Sequence, residues 1–226
     1  LEKLLKEKGS AELAGLPRNA LKQEIRELIT QYADAKLGGN ESKTPRFRFL
    51  LERLADSAQV VISHIAQELC QSSFEPAAFE LEMRDGGEFP PLTISLPSGG
   101  SVTVEGKIDR MDLAEINGEK YVRIVDYKTG KKEFRLSDVL YGVNMQMLIY
   151  LAAIIERGSC RPAGILYMPA NRPIVPAEHG AAPESVQKEV DKRLRMNGLL
   201  LEDADVVRAM EPDGAGKYIP VPLKNG

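Results

Sequence analysis

Asp126 and Lys128 are the residues of this chain whose types and spacing most clearly suit chemistry. They lie in the run Ile124-Val125-Asp126-Tyr127-Lys128-Thr129-Gly130. In a β-strand, side chains two apart share a face, so the acid and the amine point one way and Tyr127 the other. An acid beside a base on one strand face suits a metal-dependent hydrolase. The lysine there can position or polarise an attacking water, or stabilise charge on a pentavalent phosphate.

A second acid comes from counting. Asn117-Gly118 is the strongest short hairpin signal, a two-residue type I′ turn. With those two residues as the loop, Ile116 faces Glu119, and Asp109 falls opposite Asp126. Cross-strand Cβ atoms are about 4.5–5.5 Å apart. Carboxylates that close repel unless something neutralises them. A hard divalent cation does so, and Mg²⁺ typically takes one or two carboxylates plus waters and phosphate oxygens. An isolated Asp-x-Lys reads first as the wet face of an ordinary surface hairpin. Asp109 in register, with a long amphipathic helix following, favours a site.

Three motifs now stand together: Gly106-x-Ile108-Asp109-Arg110, Asp126-Tyr127-Lys128-Thr129-Gly130 and Gln146-x-x-x-Tyr150. They resemble the PD-(D/E)XK nuclease superfamily in its RecB-like branch. Within that branch they are most similar to the nuclease domains of the AddB (RexB) type, found in bacterial ATP-dependent helicase/deoxyribonucleases. Phe74-Glu75-Pro76 leading into Phe79-Glu80-Leu81, and Val206-Val207-Arg208-Ala209-Met210, share the resemblance. It covers most of the chain and is strongest from Ser73 to Leu151.

The resemblance implies an α/β, restriction-endonuclease-like fold: a mixed central sheet flanked by helices, with a helical N-terminal extension. It implies Mg²⁺-dependent hydrolysis of DNA phosphodiesters, with Mn²⁺ able to stand in. Asp109 and Asp126 would hold the metal, with the Tyr127 carbonyl as a third ligand. Lys128 would assist the water, and Gln146 and Tyr150 would orient the lysine or contact the DNA backbone. The substrate would be a single strand fed from a duplex unwound by an AddA-type helicase-nuclease subunit, in cytoplasmic double-strand-break processing for recombination. Two alternatives stay open: a catalytically incomplete DNA-binding or scaffold module of the same fold, and a free-standing RecB-like exonuclease.

The chain also departs from that pattern. Related domains carry an iron–sulfur cluster on four cysteines, whereas Cys70 and Cys160 are the only two here, so the cluster is expected to be absent from this piece. A Gly-x-x-x-His motif that helps bind metal in RecB-like enzymes would fall just before Leu1, so the site here would lack that ligand. His64 reads as structural or exposed, and the metal-binding role is not carried over to it, because the surrounding motif does not match.

The chain has 226 residues, 43% of them hydrophobic, and a net charge of −3. That fits one large domain or a core with a helical appendage, and argues against disorder throughout. It starts at Leu1 rather than Met, as an excised piece would. No apolar run reaches the roughly 18 residues a membrane span needs, no secretory signal is visible, and two distant cysteines make no disulfide framework. No basic excess announces nucleic acid. Local clusters exist at Arg46, Arg48 and Arg53, and at Lys128, Lys131, Lys132 and Arg135, each also readable as a solvated face.

Periodicity supplies the elements. Helices are expected over Leu1 to Gly9, Asn19 to Leu37 and Pro45 to Cys70, the last with Phe47, Leu51, Leu54, Ala58, Val61, Ile65 and Leu69 as one stripe. These form a helical region over 1–72, and the core follows over 73–226. Strands are expected over Phe74 to Met83, in two hairpins ending with the Asp109 and Asp126 strands, and over Gly164 to Met168. Glu80 reads either as polar strand surface or as a neighbour of the metal. One helix is expected from an N-cap at Ser137 to Arg157, with Val143, Gln146 and Tyr150 on a face. Another runs from Glu184 to Asn197. Val206 to Met210 and Tyr218 to Leu223 read as short strands. No phosphate loop, dinucleotide fingerprint or zinc spacing is present.

Overall fold

Apolar residues at helical spacing on three helices make up the N-terminal part of the chain, ahead of the first strand in sequence. The computed structural model of the chain describes residues 1–39, 43–87, 89–130, 134–142, 145–158, 160–176 and 182–220. Lys131, Lys132, Val143 and residues 221–223, which figure in the sequence expectations, lie outside them.

In chain order the elements are α1 (Glu2–Gly15), α2 (Arg18–Leu37), α3 (Pro45–Gln71), β1 (Glu75–Met83), β2 (Leu92–Ser95), β3 (Ser101–Val104), β4 (Gly106–Ile116), β5 (Glu119–Lys128), α4 (Leu136–Leu140), α5 (Gln146–Arg157), β6 (Arg161–Pro169), α6 (Pro183–Leu194), β7 (Asn197–Leu200) and α7 (Ala204–Met210). They fall into two compact units. One comprises Leu1–Cys70 with Pro169–Leu194; the other comprises Gln71–Met168 with Arg195–Gly226. The loop after β6 and α6, assigned from sequence to the core, therefore group with the N-terminal helices.

In the first unit, Leu4, Leu13, Leu21, Ile25, Ala55 and Ala66 form the buried cluster. The stripe expected on α3 is buried in its second half, at Val61, Ile65 and Leu69, whereas Leu54 is exposed. His64 is buried, with Nδ1 3.5 Å from Asp191 Oδ1 on α6.

The second unit carries a mixed five-stranded sheet in the order β1-β4-β5-β6-β7, with β2 and β3 as a separate hairpin. β1 with β4, β4 with β5, and β6 with β7 are antiparallel. β5 and β6 are neighbours joined through α4 and α5, the strand–helix–strand crossover that normally links parallel strands. Asn117 and Gly118 both have positive φ, 54° and 81°, as a type I′ turn requires. The register follows as counted, from Ile116↔Glu119 to Arg110↔Val125. α5 packs on β5 and α7 on β4. The core gathers Leu81, Ile108, Val122, Ile124, Met147, Leu151, Ile154 and Ile165, among others.

Four sequence expectations are corrected. The single helix over Ser137 to Arg157 is broken: α4 ends at Leu140, Gly142 takes φ 75°, and α5 begins at Gln146. Ser137 is accordingly not a cap; Arg135 precedes α4 without a side-chain capping bond. Val206 to Met210 is helical, because Asp203 caps it by accepting from the amides of Asp205 and Val206. Its β-branched pair has the look of a strand. The segment before it holds an unforeseen strand, β7, since α6 stops at Leu194. Finally, residues 218–220 form no strand. The buried carboxylate of Glu211 instead gathers the amides of Lys217, Tyr218 and Ile219.

Candidate active site

The end of the central hairpin positions the charged residues. Beyond Arg110↔Val125 the next two opposed residues by count are Asp109 and Asp126. Asp109 is half-buried and accepts a hydrogen bond from the Tyr127 amide at Oδ2, 2.8 Å away. Asp126 Oδ2 is ion-paired with Lys128 Nζ, as expected of side chains two apart on one strand. Burial raises the pKa of Asp109. The Tyr127 amide opposes that shift, the charges of Asp126 and Glu80 add to it, and Lys128 opposes it. Asp109, Asp126 and Lys128 thus lie within electrostatic reach of one another.

Gln146 and Tyr150 arrive from α5. Gln146 is its first residue, and its Nε2 donates to the Tyr150 hydroxyl at 2.7 Å, one turn on. The break before α5 therefore leaves this pair intact and places it at the helix start. Tyr150 is buried, whereas Gln146 is exposed. A cleft of about 530 Å³ is lined by Asp126, Lys128, Gln146, Tyr150 and Tyr167, with Glu105 and Met145 among the rest. Asp109 is not part of that lining; it reaches the site through the Tyr127 amide and its charge.

Glu80 lies between the two readings given to it. It is exposed and ion-paired with Lys107, yet its charge acts on Asp109. Its φ of 52° is unusual for a residue other than glycine.

The donor set suits a hard divalent cation. Asp126 Oδ2 is buried and takes no well-formed hydrogen bond from the described residues. Asp109 is held in surroundings that penalise its charge. Among the described residues no three His, Cys, Asp or Glu side chains converge into a ready cage. One or two carboxylates completed by waters and substrate phosphate oxygens are what Mg²⁺ commonly uses. Cys70 is exposed, Cys160 is half-buried, and both are free thiols.

Two groups escape the sequence reading. Tyr167, on β6, lines the cleft with Lys128 Nζ 5.8 Å from its ring centre, and stacks at 6.3 Å on Phe134. Burial, and then the Asp126 charge, raise the Tyr167 pKa. Only the sheet order brings it there, so no local signal exists. The other group is the buried cluster Arg110, Asp112 and Arg123. Here a signal is available: the count that pairs Asp109 with Asp126 also pairs Asp112 with Arg123.

Paired acids with a lysine at the end of a hairpin, on a mixed sheet flanked by helices, define a nuclease-type hydrolase core. The PD-(D/E)XK nuclease superfamily model matches residues 1–215, and the chain belongs to that superfamily. It is 35% identical over 206 residues to the B subunit of the ATP-dependent helicase/deoxyribonuclease of Clostridium acetobutylicum, covering 88% of this chain and 18% of that protein. The protein of the same name from Thermoanaerobacter sp. (strain X514) is 38% identical over 187 residues, covering 80% and 16%. That from Clostridium kluyveri is 40% identical over 178 residues, covering 76% and 15%. The chain thus spans less than a fifth of the length of these relatives.

Proposed function

We propose that this chain is a Mg²⁺-dependent deoxyribonuclease domain, with Mn²⁺ able to replace Mg²⁺, acting on single-stranded DNA. The observation that carries the reading is the meeting of Asp109, Asp126 and Lys128 beside a cleft edged by Gln146 and Tyr150. Asp109, Asp126 and the Tyr127 carbonyl would hold the cation. When bound, it would supply an activated water and charge neutralisation at the scissile phosphate.

The chain's own groups do the remaining work. Lys128 sits on the cleft wall beside Asp126, where its ammonium can orient a water or donate to a phosphate oxygen. Gln146 holds the Tyr150 hydroxyl, so two polar groups are fixed against the cleft before substrate enters. The first residue of α5 is on that wall, so the positive end of the helix favours an anionic ligand.

The relatives bear the name of a helicase/deoxyribonuclease component, and that name extends the proposal. The full protein would partner an AddA-type helicase-nuclease subunit, receive one strand of an unwound duplex, and process double-strand breaks for recombination in the cytoplasm. No helix among the described residues is long and apolar enough to cross a membrane. The test is cleavage of single-stranded DNA by the full-length protein with Mg²⁺ or Mn²⁺, abolished by chelation and by Asp126→Ala. DNA binding without metal, and without cleavage even in the full assembly, would instead support a scaffold module.

A further inference from the structure

The ladder between the two central strands runs out one step short of the site. Pairing stops at Arg110↔Val125, so Asp126, Tyr127 and Lys128 continue past it on the β4 side. There the Tyr127 amide donates to the Asp109 side chain instead of to a ladder carbonyl. β5 keeps β6 as its neighbour on the other edge, but with no ladder on the β4 side a further restraint helps it hold ligands to about 0.5 Å.

That restraint comes from the other side of β5. Tyr127 points away from Asp126 and Lys128, and its hydroxyl accepts a hydrogen bond from Arg110 Nη1 at 2.9 Å. Arg110 is itself held. Its Nη2 and Arg123 Nε both donate to Asp112 Oδ2, at 3.0 and 2.8 Å. The Arg123 guanidinium lies 4.9 Å from the centre of the Phe74 ring. Arg110 is 1% exposed, and Asp112 and Arg123 are 0% exposed. Burying three charges is costly, and apolar residues of similar volume often serve stability as well. What the hydrogen bonds and ion pairs of such a buried network add is a fixed geometry.

We propose that Arg110 is a positioning residue for the acid pair, acting through the Tyr127 hydroxyl. By fixing Tyr127 it sets the Asp109 carboxylate on the Tyr127 amide and aims the flanking Asp126 and Lys128. The geometry so held is the one that binds a divalent cation, and the inference rests on the metal-dependent reading above.

The test uses the full-length protein carrying Tyr127→Phe, Arg110→Met, or both. Mn²⁺ binding is titrated by electron paramagnetic resonance of the free ion. Amide exchange across residues 124–130 is followed by mass spectrometry without metal. Each single variant is expected to weaken Mn²⁺ binding by about 10–100-fold and to speed exchange at residue 127. The double variant is expected to lose no more than Arg110→Met alone, because both act through one contact. Tyr127→Phe removes only a hydroxyl, so it carries the test even if Arg110→Met does not fold. Parent-like Mn²⁺ affinity in Tyr127→Phe overturns the proposal, whatever its exchange rate. A parent protein that binds no Mn²⁺ overturns the metal reading itself, and unchanged exchange in Tyr127→Phe would separately overturn the clamp.

Discussion

The hydroxyl of Tyr150 occupies the space that a side chain on Gly106 would need. A Cβ built on Gly106 would lie 1.7 Å from that oxygen and 2.4 Å from Cζ of the ring. The first residue of β4 and the middle of α5 are thereby locked together at the edge of the cleft. Glycine is required here for close approach rather than for an unusual backbone angle.

Gly106→Ala should therefore displace Tyr150. Tyr150 is 3% exposed, so it has little room to retreat. Overpacking of this kind costs about 1–3 kcal/mol, which is roughly 2–4 °C in melting temperature per kcal/mol at this size. Cleavage should fall as well, since the Gln146–Tyr150 pair moves with the ring. Tyr150→Ala in the same protein should recover part of the melting temperature but not the activity. Thermal denaturation and a cleavage assay read both; a Gly106→Ala protein that melts like its parent defeats the argument.

Lys128→Met separates chemistry from metal binding. The lysine stem is retained in part, while the ammonium beside Asp126 is lost. General acid–base or water-orienting groups typically contribute about 10²–10⁴-fold. The cleavage rate should drop by that order while Mn²⁺ still binds, because a neighbouring cation has been removed rather than a ligand. Rates within a factor of two of the parent would assign Lys128 to the surface of a hairpin.

Asp109 makes metal-free stability depend on pH. Its folded pKa is raised, chiefly by burial, above its unfolded value of about 3.9. The folded state therefore binds the proton more tightly, and stability falls as pH rises from the unfolded value through the folded one. Above both values the penalty is constant. Asp109→Asn should thus raise the melting temperature of the metal-free protein at neutral pH, and give little gain below about pH 3.9. The same substitution should abolish stabilisation by added Mg²⁺. Differential scanning calorimetry at the two pH values, with and without the ion, checks the sign. A variant less stable than the parent at neutral pH would refute it.

The hairpin is legible because a two-residue turn fixes register, and register places every side chain on both strands. Asp109, Asp126 and Lys128 therefore come together from counting alone, and the Gln146–Tyr150 pair from helical spacing. What escapes depends on other scales. The break before α5 turns on Gly142, which a long amphipathic pattern masks. α7 reads as a strand because Val206-Val207 outweighs Asp203, whose side chain caps the helix. Tyr167 requires knowledge that β6 lies beside β5, which is a tertiary fact. For Arg110, Asp112 and Arg123 the count gives the Asp112–Arg123 pairing but not the burial, since composition cannot distinguish a solvated charge from a buried and paired one.

Gln146 offers the sharpest division between support of the site and support of the fold. It is exposed, at the first position of α5, and its Nε2 bonds the Tyr150 hydroxyl at 2.7 Å. A hydrogen bond of this kind contributes about 0.5–1.5 kcal/mol net. Gln146→Leu should therefore lower the melting temperature by only a few degrees at this chain length. If Gln146 holds Tyr150 for substrate, kcat/KM on single-stranded DNA should fall by roughly tenfold, the equivalent of about 1.4 kcal/mol. Tyr150→Phe, which keeps the ring and loses the hydroxyl, should produce the same fall, and the double variant should be no worse than either. Independent, additive losses would place the two side chains in separate roles. A large loss of stability with unchanged kcat/KM would make Gln146 a helix-start residue and nothing more.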